Sequence, residues 1–267
     1  MNIPRPIIPK EHGAWAVLFV PMVVGVGATG LWPGRVLFLA LSALGIFMSY
    51  VPVQILLRDR FLMSQGNDRV RQARVWATAF LALGLFFAIP LLMSGYWLLP
   101  AFAAIGVLGF AVNFGLTRRF PKTIPGDLVS VVSLTLTAPA AYYVVLGVLD
   151  RTALSIWLLN VLFFGCSVFY VHMKIRATSM KKEELTWGER ISLGKLNLIY
   201  HAVVLTVVFA LAWRHFTPPL AALAFVPMAA HAIYGTYKLS GKVRFKNLGF
   251  LLVGQAILFA LIMVATK

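Results

Sequence analysis

Few side chains in this sequence are equipped for chemistry. The segment Pro9-Lys10-Glu11-His12-Gly13-Ala14-Trp15 sets an acid, an imidazole and an indole side by side. Glu11 and His12 could act as an acid/base or ligand-binding pair. Their types also have structural uses, since a carboxylate is favoured at a helix N-terminus and an indole suits a membrane interface. Further along, Gln54, Asn113, His172, Asn197, His201, His231, Tyr234, Tyr237 and Gln255 punctuate long apolar stretches. Polar groups inside a bilayer are costly, so their places are informative. As a set they suit the polar wall of a cavity that takes an amphipathic ligand; singly, each suits a hydrogen bond between helices. Arg58, Arg71, Arg118, Arg119 and Lys122 can hold an anionic head directly through charge-assisted hydrogen bonds.

The elements that must position these groups are membrane helices. Of the 267 residues, 60% are hydrophobic and 12% charged, and the mean hydropathy is +0.86. A soluble core of this size needs far less apolar surface. About 20 apolar residues cross a bilayer as a helix. The apolar stretches predict nine spans, at 13–31, 36–57, 75–94, 97–117, 125–146, 152–173, 197–213, 218–237 and 247–265. The expected fold is an all-α polytopic helical bundle, with residues 1–267 forming one integral membrane domain.

Charge orients that bundle. The net charge is +16, and of the 24 Lys and Arg only Arg35, Arg151, Arg214 and Lys267 fall on the side opposite the rest. Basic residues collect in cytoplasmic loops, so the N-terminus is expected in the cytoplasm and the C-terminus outside. The same residues would attract anionic lipid headgroups. Basic residues confined to short loops at a membrane surface argue against nucleic acid as a partner. The lone cysteine, Cys166, excludes an intrachain disulfide or a cysteine-based metal site. The first apolar stretch follows Glu11 and precedes further spans, so it reads as a retained span rather than a signal peptide.

The inner loops at 58–74 and 174–196 are expected to be the longest and lie four spans apart, which suggests two related four-helix groups and a ninth helix. Pro21, Pro90, Pro139 and Pro227 fall within spans, where proline removes an amide donor and kinks a helix. Gly25, Gly27 and Gly30 permit close helix approach.

The run from Pro9 to Trp15 leading directly into a first span resembles the YwiC-like family of bacterial membrane proteins. The resemblance extends over the chain to Leu248-Gly249 and implies a bacterial inner-membrane location. A more distant resemblance is to the UbiA-type intramembrane prenyltransferases, which have nine helices, a cytoplasmic N-terminus, and functional loops after helices two and six. Those enzymes hold Mg²⁺ and a prenyl diphosphate on the motifs NDxxDxxxD and DxxxD. Here Asn67 and Asp68 match the opening of the first motif, while Arg71 and Val75 stand at its later acid positions. Glu184 matches one acid of the second, and Met180 stands four residues before it. The stretch Thr117 to Thr123 is similar to the basic segment that contacts diphosphate in that family.

These resemblances imply a UbiA-like enzyme or binding protein for a prenyl- or lipid-like anion, with Asp68 and Glu184 as its remaining acids. Mg²⁺ has weak support from so incomplete an acid set. Two alternatives stand beside it: a small-solute transporter, and a respiratory accessory protein binding haem or quinone through His12, His172, His201 or His231. The histidines are more readily read as hydrogen-bonded structure than as haem ligands. No serine or cysteine triad and no phosphate-binding glycine loop is discernible.

Overall fold

The computed structural model describes residues 5–9, 12–62, 66–117 and 123–266, the side chains of residues 12 and 62 excepted. With no water to bond backbone amides in a bilayer, an apolar chain must satisfy them internally. The described residues accordingly form helices joined by turns: α1 (His12–Gly27), α2 (Arg35–Leu62), α3 (Asn67–Met93), α4 (Leu99–Thr117), α5 (Ile124–Leu134), α6 (Thr137–Leu146), α7 (Arg151–Ser179), α8 (Trp187–Trp213), α9 (Val226–Tyr237) and α10 (Phe245–Ala265). A 3-10 segment, Pro219–Phe225, leads into α9. Eight segments are long and apolar enough to cross a membrane, and Gly13–Gly27 is a shorter apolar helix. This is a polytopic all-helical membrane bundle, as the sequence predicts.

Its boundaries differ from expectation in two ways. The long basic loops are largely helical: α2 runs to Leu62 and α3 starts at Asn67, while α7 runs to Ser179 and α8 starts at Trp187. Arg, Gln and Ala are good helix formers, so the helices outlast their apolar stretches. Thr186 begins α8 with a capping box, its hydroxyl accepting from the Glu189 backbone and the Glu189 side chain accepting in return. The second difference is that two expected spans are broken. Residues 124–146 form α5 and α6 with a break at Thr135–Leu136. Pro139 is the cause, because its ring excludes the carbonyl four residues back, that of Thr135. The Thr137 hydroxyl binds the Leu134 carbonyl at 3.0 Å and the Leu18 carbonyl at 2.8 Å, covering acceptors at the break. Prolines 218, 219 and 227 accompany the second break.

The centre of the bundle is α7, which packs against α5, α6 and α8. Phe163 stacks on Phe259 of α10 at 4.0 Å, with Phe225 edge-on to both. Helix α1 lies against α6 and α10. A Cβ on Gly25 would strike the Ala138 carbonyl, and one on Gly27 would strike Val264, so both contacts require glycine. Helices α2 and α3 form a hairpin that reaches the rest chiefly through α6 and α1, while α4 lies on α5. Large apolar side chains such as Phe86, Met93, Leu108 and Ile233 are exposed, as in helices that face lipid.

Contacts between residues distant in sequence sort the two ends of the bundle. At one end the Gln72 amide donates to the Arg5 carbonyl, Arg190 Nη1 donates to the Tyr237 carbonyl at 2.9 Å, and Lys242 pairs with Glu183 at 3.3 Å. At the other, Arg35 Nη2 donates to the Val145 carbonyl at 2.7 Å and Arg151 Nη2 to the Arg214 carbonyl at 3.4 Å. The first is the basic end.

Candidate functional site

The basic end carries a run of polar side chains from α4 to α9. Thr123 caps α5, accepting from the Gly126 N–H at 3.2 Å, and this first turn presents Asp127. His172 Nε2 lies 2.8 Å from Asp127 Oδ2, the two side chains being 9% and 40% exposed. The carboxylate side chain sits on a helix N-terminus, which favours its charge. Alongside, Asn113 Nδ2 donates to Ser130 Oγ at 2.8 Å, and Ser130 donates to the Gly126 carbonyl at 3.1 Å.

His172 also borders a hollow between α5, α7 and α8, together with Arg176 and Asn197. The hollow has a volume of about 10 Å³, room for roughly one water. Asn197 is 1% exposed, and neither its Oδ1 nor its Nδ2 has a partner among the described residues. One turn along α8, His201 Nδ1 lies 2.8 Å from the Asn197 carbonyl. A carbonyl only accepts, so this contact assigns the ring proton to Nδ1 and leaves Nε2 as a bare lone pair in the neutral imidazole. That Nε2 is buried and, among the described residues, without a partner, as are His231 Nε2 and Gln255 Oε1. His231 stacks obliquely on Tyr170 at 4.7 Å. Lys174 Nζ donates to the Gly235 carbonyl at 3.0 Å and sits 5.3 Å from the centre of the Tyr170 ring.

The remaining residues expected at a site lie elsewhere. Gln54 and Arg58 are half-buried near the end of α2, while Asn67, Asp68 and Arg71 are exposed on α3. Glu184 is exposed in the α7–α8 connection. Glu11, Arg118, Arg119 and Lys122 lie outside the described residues, as does the side chain of His12. The structure thus brings His172, His201 and His231 to α7, α8 and α9, with Asn113 joined to them through α5, and leaves the α2–α3 residues on their own hairpin.

The Mg²⁺ that a prenyltransferase resemblance implies does not fit the residues present. Asp68 is almost fully exposed and pairs with Arg71 of its own helix at 3.3 Å. Among the described residues no group of three or more His, Cys, Asp or Glu could hold a metal ion.

A second concavity lies along α7 on the side toward α10. Val171, Ile175, Thr178, Ser179 and Phe245 line this open groove of about 430 Å³, within the size range of small-ligand sites. The two hydroxyls donate to carbonyls of their own helix, Thr178 to Lys174 and Ser179 to Ile175, each at 3.0 Å. The lining surface is therefore chiefly apolar. Arg244 and Lys246 flank Phe245 and are exposed, and no acidic partner to either is seen among the described residues.

Reading the sequence missed Asp127, Ser130 and Lys174. Asp127 had a usable signal: it is one of only eight acids, and it lies inside an otherwise apolar stretch. Nothing local marked His172, forty-five residues away, as its partner.

A family model described as YwiC-like protein matches residues 8–142, from the N-terminal segment through most of α6. A Bacillus subtilis protein described as "Uncharacterized protein YwiC" is 27% identical over 202 residues, covering 74% of this chain and 80% of the relative. A Haemophilus influenzae protein described as "Uncharacterized protein" is 24% identical over 263 residues, covering 97% of this chain and 98% of the relative. No solved structure matches the chain.

Proposed function

The chain belongs to the YwiC-like family, and we propose that it is a single-domain protein of the bacterial inner membrane that binds an amphipathic anion at its cytoplasmic end. The groove beside α7 carries this reading. A hydrocarbon chain lies against Val171, Ile175 and Phe245, and the anionic head meets Arg244 and Lys246. Apolar walls with cations at one rim are what a prenyl phosphate or an anionic lipid presents in reverse. The skew of Lys and Arg toward this end supports placing it, and the N-terminus, in the cytoplasm. The role is binding or chemistry on a prenyl- or lipid-like anion without the metal site of the prenyltransferases.

The test is binding of farnesyl phosphate to the purified full chain, read by native mass spectrometry. Binding should be saturable, and the double substitution Arg244→Ala/Lys246→Ala should weaken it about tenfold, the loss of one or two charge-assisted contacts. Equal binding by the double variant, or none by the wild type, would refute the assignment.

Transport of a small solute is the second reading, favoured by the breaks at Thr135–Leu136 and before α9. Interrupted helices line the sites of many transporters. Solute uptake by reconstituted vesicles would select it.

A further inference from the structure

The groove beside α7 lies on the basic side of a contact between α7 and α10, the stack of Phe163 on Phe259 at 4.0 Å. At the basic end the chain leaves α7 after Ser179 and enters α10 at Phe245, and both residues line the groove. The connection that follows α7 and the one that precedes α10 meet each other there. The Ser240 hydroxyl donates to the Glu183 carbonyl at 2.9 Å, and the Gly241 N–H donates to the same oxygen at 3.4 Å. The Lys242 N–H donates back to the Ser240 oxygen at 3.1 Å. The two backbones approach so closely that a Cβ added to Gly241 would collide with the Lys182 carbonyl oxygen. Two residues from Glu183 and from Gly241, Leu185 and Leu239 are buried in one core cluster. Arg190 of α8 donates from Nε to the Leu185 carbonyl and from Nη1 to the Tyr237 carbonyl, each at 2.9 Å.

We propose that these two connections form a clasp that sets the width of the groove at its basic end and holds Arg244 and Lys246 at the rim, with Glu183, Ser240 and Gly241 as its positioning residues. The clasp is short on both sides. Glu183 lies four residues after Ser179 of the α7 wall, and Phe245 of the α10 wall lies four residues after Gly241. Four residues reach at most about 14 Å, so neither wall moves far unless the clasp opens. Control of ligand binding rests on the groove being the ligand site, as proposed; the setting of its width does not.

Close packing holds the clasp more than charge does. Lys242 pairs with the Glu183 carboxylate at 3.3 Å, but the two side chains are 78% and 80% exposed, and ion pairs so open to water contribute little. The Glu183 carbonyl, by contrast, takes two donors from the other connection. Arg190 fixes one carbonyl on each side of the contact. Hydrogen bonds to backbone carbonyls and buried leucines are not screened by salt as exposed charges are. The clasp therefore stays shut at ionic strengths that weaken the attraction of the rim cations.

Spin-label distances on the full chain in nanodiscs test this, with labels on Met180→Cys and Asn247→Cys, two exposed positions beside the groove walls. Cys166, at 1% exposure, takes no label. The clasped chain should give one narrow distance. A Cβ at position 241 must part the two backbones, so Gly241→Ala should lengthen and broaden that distance. It should also weaken farnesyl phosphate binding about tenfold, the loss of one charge-assisted contact at the rim. Gly188→Ala, near the same connection but with nothing within 4 Å of its added Cβ, should change neither. An unchanged distance in Gly241→Ala overturns the clasp, and a changed distance with unchanged binding overturns its hold on the rim. If the wild type binds no farnesyl phosphate, the ligand reading fails by itself and the distance still decides the clasp. If Gly241→Ala does not fold, Ser240→Ala takes its place: a broadened distance that Ser240→Thr restores is expected, and a distance equal to that of the wild type overturns the proposal.

Discussion

Gly45 on α2 and Gly84 on α3 meet backbone to backbone: a Cβ at position 45 would lie 2.5 Å from the Gly84 nitrogen. No side-chain motion relieves such a contact, so Gly45→Ala must push the hairpin apart. A loss of about 1–3 kcal/mol is expected from overpacking of this kind. Gly115 of α4, with nothing within 4 Å of an added Cβ, is the control: Gly115→Ala should be neutral or stabilise by about 0.5–1 kcal/mol. Thermal unfolding of the two variants in one detergent checks the contrast.

Asp150 caps α7 by accepting from the Thr152 and Ala153 N–H groups at 2.8 and 3.0 Å, and it also accepts from the Tyr142 hydroxyl at 2.8 Å. Asp150→Ala should cost about 1 kcal/mol, as for other N-caps. Desolvation raises the Asp150 carboxyl pKa, but the bonds from Ala153, Tyr142 and Thr152 outweigh it and hold the group below the usual carboxylate range. A folded-state value below the unfolded one gives stability that is present at neutral pH and lost as pH falls through the folded value. Asp150→Asn keeps the cap without the charge. The stability gap between wild type and Asp150→Asn should therefore close as pH is lowered beneath the ordinary Asp value of 3.8.

Removing Asp127 strands a buried imidazole. Asp127→Ala should destabilise the protein by about 1–3 kcal/mol, the cost of an unsatisfied buried polar group. Asp127→Asn can still accept from His172 and should lose less. Chemical denaturation of both, beside Asn113→Ala on the neighbouring Ser130 bond, ranks the contributions.

Orientation is open to direct measurement. Cys166 is buried at 1% exposure and should not react, so single cysteines can be introduced without removing it. In intact cells a membrane-impermeant maleimide should label Gly34→Cys and spare Lys238→Cys. After the cytoplasmic membrane itself is permeabilised both should label. The reverse pattern would invert the orientation.

Salt distinguishes the rim cations from buried charge. Arg244 and Lys246 are exposed, so their attraction for an anionic head is screened. Raising ionic strength from about 0.1 to about 1 M, which shortens the Debye length from about 10 to about 3 Å, should weaken farnesyl phosphate binding in wild type and hardly alter the residual binding of the double alanine variant.

The order of the apolar segments was legible in the sequence because apolar length is read directly against bilayer thickness; of the nine expected spans eight are long enough to cross, and the first, Gly13–Gly27, is a shorter helix. The edges of the segments were not legible. Arg58, Arg60, Arg69, Arg71 and Arg74 read as loop because they are charged, yet each is helical; charge reports the water boundary, not the end of backbone hydrogen bonding. The break at Thr135–Leu136 was hidden for a related reason, since the apolar run continues through it and Pro139 alone does not show whether a helix bends or stops. His172, His201 and His231 stood out as costly residue types. Asp127 as the partner of His172 and Tyr170 as that of His231 did not, because they are set by how α5, α7 and α9 pack in three dimensions, whereas the Asn197 carbonyl that meets His201 lies one turn back on the same helix.

Helix α1 has a consequence for how the chain is assembled. It emerges first, yet two of its glycine contacts are with Ala138 of α6 and Val264 of α10. The α2–α3 hairpin can pair as soon as both of its arms are inserted. The face of α1 that carries Gly27 is covered only once α10 has been made. Insertion therefore closes like a ring among the described helices, with α1 locked by the much later α10.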